Sequence, residues 1–199
     1  MRLEAEGLTS IRGGRTLFAG LSLAVAAGDA LVVTGANGSG KTTLLRLLAG
    51  LSRPQAGRVV LAGSEAPLPE AVHFVGHQDA LKGALTVGNN LAFYKSLFGG
   101  EGEAVQAALG RAGIGGLAAL PAQVLSAGQR RRAGLARLLV SRRPIWLLDE
   151  PVNALDAEGQ GLLARLMQEH RGRGGMVIAA THARLDLPGA REISLGGAA

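Results

Sequence analysis

With 199 residues, 47% of them hydrophobic, the chain can bury a core as one domain or as a domain carrying an inserted subdomain, and it has no apolar stretch of the roughly 18 to 20 residues that cross a bilayer. The lack of cysteine excludes disulfides, thiolate metal sites and haem attachment through C-x-x-C-H, and His73, His77, His170 and His182 show no metal-ligand spacing. A formal charge of +6 and a pI near 10.9 invite a nucleic-acid reading, but 3% aromatic content leaves few platforms for stacking bases; no nucleic acid is expected, and the basic body suits an anionic membrane leaflet or a plain solvated surface.

Met1-Arg2-Leu3-Glu4 does not open a secretory signal, so a soluble chain that stays where it is made is expected. Residues 1 to about 34 alternate strand-like runs (Leu3 to Glu6, Leu21 to Val25, Ala30 to Val33) with turn glycines at Gly13, Gly14, Gly20 and Gly28; Val59 to Leu61 reads as a further strand of that layer. A helical pattern follows from Thr43 to Leu51, and His73 to Val75 is a short apolar stretch. From about 79 to 141 the pattern is helical, with Asn89 to Leu97, Glu103 to Ala112 and Ala127 to Val140 as candidates, and this segment reads as a helical subdomain inserted in a single domain spanning 1–199. Arg143-Pro144 ends the last of these helices, Ile145 to Leu148 suits a buried parallel strand, Ala157 to His170 a helix, and Met176 to Ala180 a second buried strand. This alternation predicts an α/β fold whose parallel sheet binds its ligand at the carboxyl ends of the strands.

Gly35, Ala36, Asn37, Gly38, Ser39, Gly40, Lys41 and Thr42 spell G-x-x-x-x-G-K-T between an apolar run and a helical pattern. A triphosphate has to be wrapped by backbone N–H groups without side chains in the way, at the positive end of a helix, which is why glycines recur there. Lys41 supplies a point charge to the β and γ phosphates and Thr42 a hydroxyl for Mg²⁺. Ile145 to Glu150, I-W-L-L-D-E, ends a buried strand with two carboxylates aimed differently, so Asp149 can hold the metal while Glu150 acts as general base on water. Asp-Glu-Pro also caps helices, and the phosphate loop is what turns the reading toward chemistry. His182, just past the other apolar strand, can reach a γ phosphate and hold the water in line, though a lone histidine is more often structural. Gln78 offers a neutral amide to Mg²⁺ or the water, and taken alone is an ordinary loop glutamine. Leu125 to Gln129, L-S-A-G-Q, opens a helix with Ser126 as N-cap, which is by itself sufficient reason for the serine.

In order and spacing, G-A-N-G-S-G-K-T, Gln78, L-S-A-G-Q, I-W-L-L-D-E, A-L-D at Ala154 to Asp156, and His182 resemble the ATP-binding cassette ATPases over nearly the whole chain. The resemblance implies a phosphate-loop core with a parallel sheet, an N-terminal antiparallel β subdomain and an inserted helical subdomain. It implies ATP with Mg²⁺ held by Thr42, Gln78 and Asp149, and catalysis by Glu150, His182 and Gln78. It further implies a head-to-tail homodimer in which Ser126, Ala127, Gly128 and Gln129 of one copy cover the ATP of the other, with Asp156 linking the two sites. Arg12 stands where many members stack an aromatic on adenine, Ala127 replaces a usual glycine, and Asn89 stands where an acidic residue is common.

Within the family, T-L-F-A-G-L-S-L, L-L-R-L-L-A-G-L-S-R-P, V-G-H-Q-D, L-S-A-G-Q-R-R-R-A-G-L-A-R-L-L and W-L-L-D-E-P-V-N-A-L-D resemble the ATPase subunits of cytochrome c maturation systems, historically called haem exporters. That likeness implies a peripheral subunit on the cytoplasmic face of the inner membrane, partnered by an integral membrane subunit of the CcmB type. Hydrolysis would there be coupled to haem handling for c-type cytochromes. Another small-molecule exporter is the alternative. A soluble cassette ATPase acting on nucleic acid or ribosomes would usually carry a paired cassette, a coiled-coil insertion or a basic extension, and none is present.

Overall fold

The computed structural model describes residues 1–196. In chain order the strands are β1 (Arg2–Arg12), β2 (Arg15–Ala26), β3 (Ala30–Thr34), β4 (Ala56–Ala62), β5 (Val72–Val75), β6 (Ile145–Asp149), β7 (Met176–Ala180) and β8 (Arg191–Ser194). The α-helices are α1 (Lys41–Leu48), α2 (Leu68–Ala71), α3 (Val87–Leu97), α4 (Val105–Arg111), α5 (Ala127–Ala136) and α6 (Ala157–Gly172). Three strands form an antiparallel sheet in the order β2-β1-β4, and five form a parallel sheet in the order β5-β6-β7-β3-β8.

Three expectations are corrected. The sequence pattern groups Ala30 to Val33 with the N-terminal layer, but β3 lies inside the parallel sheet between β7 and β8. Its A-L-V-V run is apolar without interruption because both of its faces are covered, whereas β1 buries only alternate residues such as Leu3 and Ala5 and leaves a wet face. Gly20 does not end a strand either: β2 runs through it with φ 67°, at a register shift between the pairs Leu8–Leu21 and Ser10–Phe18, a bulge that a side chain would strain. The expected helix Ala127 to Val140 is α-helical only to Ala136. Beyond it the N–H groups of Leu138 and Leu139 reach back three residues, and the Leu139 carbonyl is taken by the Glu103 N–H at 2.8 Å.

The parallel sheet separates two apolar layers by the period of two that a strand imposes. Ile145 and Leu147 enter the layer shared with α1 and the antiparallel sheet, and Trp146 and Leu148 enter the layer under α5 and α6. Leu147 is fully buried, so Leu147→Ala is expected to cost about 2–5 kcal/mol. A third cluster, including Val87, Leu91, Leu109 and Ala133, holds α3, α4 and α5 to one another. The framework puts the carboxyl ends of β3, β6 and β7 at one rim, and the loops that follow them carry the chemistry.

Candidate active site

The loop between β3 and α1 turns on glycine. Gly35, Gly38 and Gly40 have φ of 139°, 80° and 101°, and a Cβ at Gly35 would lie 2.4 Å from the Leu195 carbonyl oxygen and 2.7 Å from Ser39 Oγ. Ser39 Oγ is buried with no hydrogen-bond partner among the described residues. Lys41, only 7% exposed, folds its Nζ onto the carbonyls of Gly35 at 2.8 Å and Ala36 at 3.3 Å, and lies 3.8 Å from Glu150 Oε1. The ammonium is thus held in the ring of backbone that a phosphate would enter.

Thr42 Oγ1 donates to Asp149 Oδ2 at 2.8 Å, joining the start of α1 to the end of β6. Burial pushes the Asp149 carboxyl up, and the charge of Glu150 adds to this, while the Thr42 hydroxyl opposes it. Glu150 has φ 47°, a left-handed backbone that a residue with a Cβ adopts at a cost of about 1–2 kcal/mol. Its N–H donates to the Ala180 carbonyl at 2.8 Å, and its Oε1 lies 2.9 Å from His182 Nδ1. Burial raises the Glu150 carboxyl, but hydrogen bonds from His182 and Thr181 outweigh it and hold the group below its ordinary value.

These groups face one cleft of about 480 Å³, lined by Arg12, Leu17, Asn37, Gly38, Gly40, Lys41, Thr42, Thr43, His77, Asp149, Glu150, Asn153 and His182. The structure therefore brings together Arg12, the glycine loop, both strand-end carboxylates and His182. Gln78 is exposed in the turn after β5 and does not line the cleft; its neighbour His77 does. The sequence assigns no site role to His77 or Asn153, although His77 lies within V-G-H-Q-D and Asn153 within W-L-L-D-E-P-V-N-A-L-D. The Thr42–Asp149 pair offers hydroxyl and carboxylate oxygens, the hard donors that Mg²⁺ takes from a protein in ones and twos while keeping phosphate and water for the rest. No group of three His, Cys, Asp or Glu converges among the described residues, so an ion here would take its remaining ligands from substrate and water.

Ser126, Ala127, Gly128 and Gln129 lie outside this cleft, at the start of α5. Ser126 Oγ accepts from the Gln129 N–H at 3.2 Å and Gln129 Oε1 from the Ser126 N–H at 2.9 Å, a reciprocal capping box. Asp156 caps α6 through the Gly159 N–H at 2.9 Å and accepts from Arg132 at 2.8 Å; its side chain is largely exposed.

The model of the ABC transporter family matches residues 18–153. Over 100% of both chains the sequence is 55% identical to the cytochrome c biogenesis ATP-binding export protein CcmA of Rhodopseudomonas palustris strain BisB18. It is 50% identical to the protein of the same name from Brucella abortus strain 2308, over 96% of this chain and 89% of that one. A putative ABC transporter ATP-binding protein from Pyrococcus furiosus shares the fold at TM-score 0.84, with 24% identity over 98% of both chains. A bacterial Atm1-family ABC exporter with ATP bound superposes at TM-score 0.79 with 26% identity, over 92% of this chain and 34% of that one. The chain thus belongs to the ATP-binding, ATP-hydrolysing subunits of the ABC transporter family, and within them to the family of the CcmA cytochrome c biogenesis export proteins.

Proposed function

We propose that this chain is the ATPase of an inner-membrane export complex that couples hydrolysis to haem handling for c-type cytochrome assembly. The observation that carries the biological part is full-length identity of about half to relatives of that name. The hydrolytic part rests on one arrangement, Glu150 held between Lys41 and His182 at the rim of a glycine loop. The chain is proposed to lie on the cytoplasmic face of the membrane against an integral subunit of the CcmB type. In keeping with a peripheral subunit, no helix among the described residues is long and apolar enough to cross a membrane.

ATP would enter with its phosphates over Gly35 to Thr42. Amides of that loop and Lys41 would neutralise them, the ammonium exchanging backbone carbonyls for phosphate oxygens. Arg12, exposed at the mouth of the cleft, would present a planar guanidinium to the adenine. Thr42 and Asp149 would hold Mg²⁺, with the Gln78 amide reaching it only after the turn beyond β5 moves inward. When bound, the ion would offset phosphate charge as it redistributes toward the leaving oxygen. Glu150, ionised at neutral pH, would accept the proton of the water whose oxygen attacks the γ phosphorus, while the bond to the β-phosphate oxygen breaks and ADP leaves. His182 orients that carboxylate. A second copy is proposed to present Ser126, Ala127, Gly128 and Gln129 to the γ phosphate, with Asp156 beside the junction; the exposed start of α5 is available for this.

The test is purification of the tagged chain from membranes, with mass spectrometry of what accompanies it, and a Lys41→Ala strain without a second copy. An integral membrane partner and loss of assembled c-type cytochromes are expected. Normal cytochromes in the Lys41→Ala strain would overturn the cytochrome c assignment.

A further inference from the structure

Arg131 belongs to α5 and does not itself line the cleft. It is 3% exposed, and its guanidinium makes five hydrogen bonds, all to the backs of the two loops that border the site. Nη2 donates to the carbonyls of Asp149 at 3.0 Å and Glu150 at 2.8 Å, and Nε donates to that of Pro151 at 3.2 Å. Nη1 donates to the Gly76 carbonyl at 3.0 Å and Asp79 Oδ1 at 3.1 Å. A guanidinium has five N–H donors in a rigid planar fork, so this one is fully used.

Three consecutive carbonyls can converge on one cation only if the chain turns tightly between them, and the middle residue of that turn is Glu150, with φ 47°. The strain and the clamp coincide. We infer that Arg131 is a positioning residue, holding Glu150 in its left-handed backbone and tying the loops after β5 and β6 to α5. Its contacts fix where the Glu150 carboxylate stands relative to Lys41 and His182, and the start of the same helix, about one turn away, is the segment proposed to meet the second copy. Placement of α5 is thereby transmitted to the carboxylate through one side chain. The inference rests on the reading of Glu150 as the base.

The experiment uses the complex as purified from membranes and measures ATP affinity, kcat and thermal midpoint for Arg131→Lys and Arg131→Gln. An ammonium keeps the charge but cannot span both loops. The expected result is a kcat lower by about 10- to 100-fold, the scale of a misplacement near 1 Å, with ATP affinity within about twofold of the parent. In a Glu150→Gln background the same substitution should produce no further loss, because the base it positions is gone. If both Arg131 variants fail to fold, Asp79→Ala removes the carboxylate that orients the same guanidinium without emptying its buried site, and the same split is expected in smaller degree. Parental kcat in Arg131→Lys, or affinity falling in step with kcat, would overturn the inference. Turnover that survives Glu150→Gln alone would instead overturn the assignment of the base, leaving Arg131 without a group to position.

Discussion

The two ends of the parallel sheet carry cavities of opposite character. At the carboxyl ends of β3, β6 and β7 the cleft measures about 480 Å³; at the amino ends of β6 and β7, under α5 and α6, a larger one of about 720 Å³ is lined by residues that include Glu103, Arg111, Trp146, Glu169, His170 and Arg173. The smaller cleft gathers what a fold alone would avoid: a buried ammonium, a buried carboxylate and a left-handed glutamate. In the larger one such tensions are relieved. Arg111 bridges Glu103 and Glu169, and His170 stacks on Trp146 with centroids 4.0 Å apart, its Nε2 3.2 Å from the Pro144 carbonyl. Strain and buried charge, not volume, mark the working end.

The comparison predicts that substitutions at the carboxyl end change turnover and leave stability nearly alone, while those at the amino end do the reverse. The largest effect is expected from Glu150→Gln, which keeps the shape of the side chain but cannot accept a proton. Turnover should fall by about 10²- to 10⁴-fold with ATP binding retained, read by phosphate release beside nucleotide titration. Parental turnover would remove Glu150 from its role. Ser126→Arg sharpens the same end by asking which copy the start of α5 serves. Hydrolysis should be blocked with the affinity of the isolated chain for ATP hardly altered, and the lost cap should cost only about 1 kcal/mol. If Ser126→Arg and Lys41→Ala weakened monomer binding equally, Ser126 would act in its own subunit and the head-to-tail arrangement would fall.

Much of the working end could be read before any coordinates, because phosphate chemistry forces side-chain types into fixed spacings. The glycine loop, Lys41, Thr42, Asp149 and Glu150 meet as their order along the chain implies, and Met176 to Ala180 is a strand at the bounds its apolar run suggests. Less legible was whatever depends on neighbours. Whether A-L-V-V at Ala30 joins the parallel or the antiparallel sheet is decided by what covers its faces, and periodicity over four residues does not contain that. Near Gln78 the side chain facing the cleft is His77, a choice made by how the turn leaves β5. Arg131 reads as one basic residue in a run of three, and only the packing of α5 turns Arg131 inward while Arg132 reaches Asp156.

The pH dependence of stability separates the ends more gently. Burial pushes His73 from the ordinary 6.5 of an imidazole down to about 3, against the hydrogen bond with Ser141, and pushes His170 down to about 4. Both are neutral when folded, and in the unfolded chain both take up a proton below about 6.5. Stability is therefore complete above pH 6.5 and declines as the pH falls through the window toward about 4 and 3, each histidine contributing about 1.4 kcal/mol per pH unit. His170→Phe keeps a ring on Trp146 and removes one titration, so the slope of stability against pH between about 4 and 6.5 should drop by that amount. Trp146 is the sole tryptophan, and its fluorescence reports the transition directly. An unchanged slope would show that His170 is charged, or accessible to protons, in the folded chain.

The smallest effect is expected from Arg111→Gln. Arg111 joins α4 to α6 through Glu103 and Glu169, all three about a third to a half exposed, so water screens the pairs and the loss should stay below about 1 kcal/mol. Salt should shrink the difference further, since exposed charges are screened beyond a Debye length of about 10 Å at 0.1 M. The kinetic outcome carries more weight than the thermal one. The segment holding α3, α4 and α5 is tied to the rest of the chain by several polar side chains, Arg131 at the carboxyl end, Arg132 on Asp156 and Glu158, and Arg111 at the amino end. If only the first fixes Glu150, Arg111→Gln leaves kcat at the parental value while the melting midpoint slips slightly. A kcat reduced several-fold would mean that the far ion pairs also set the placement of α5, and the two ends of the sheet would have to be treated as one coupled device.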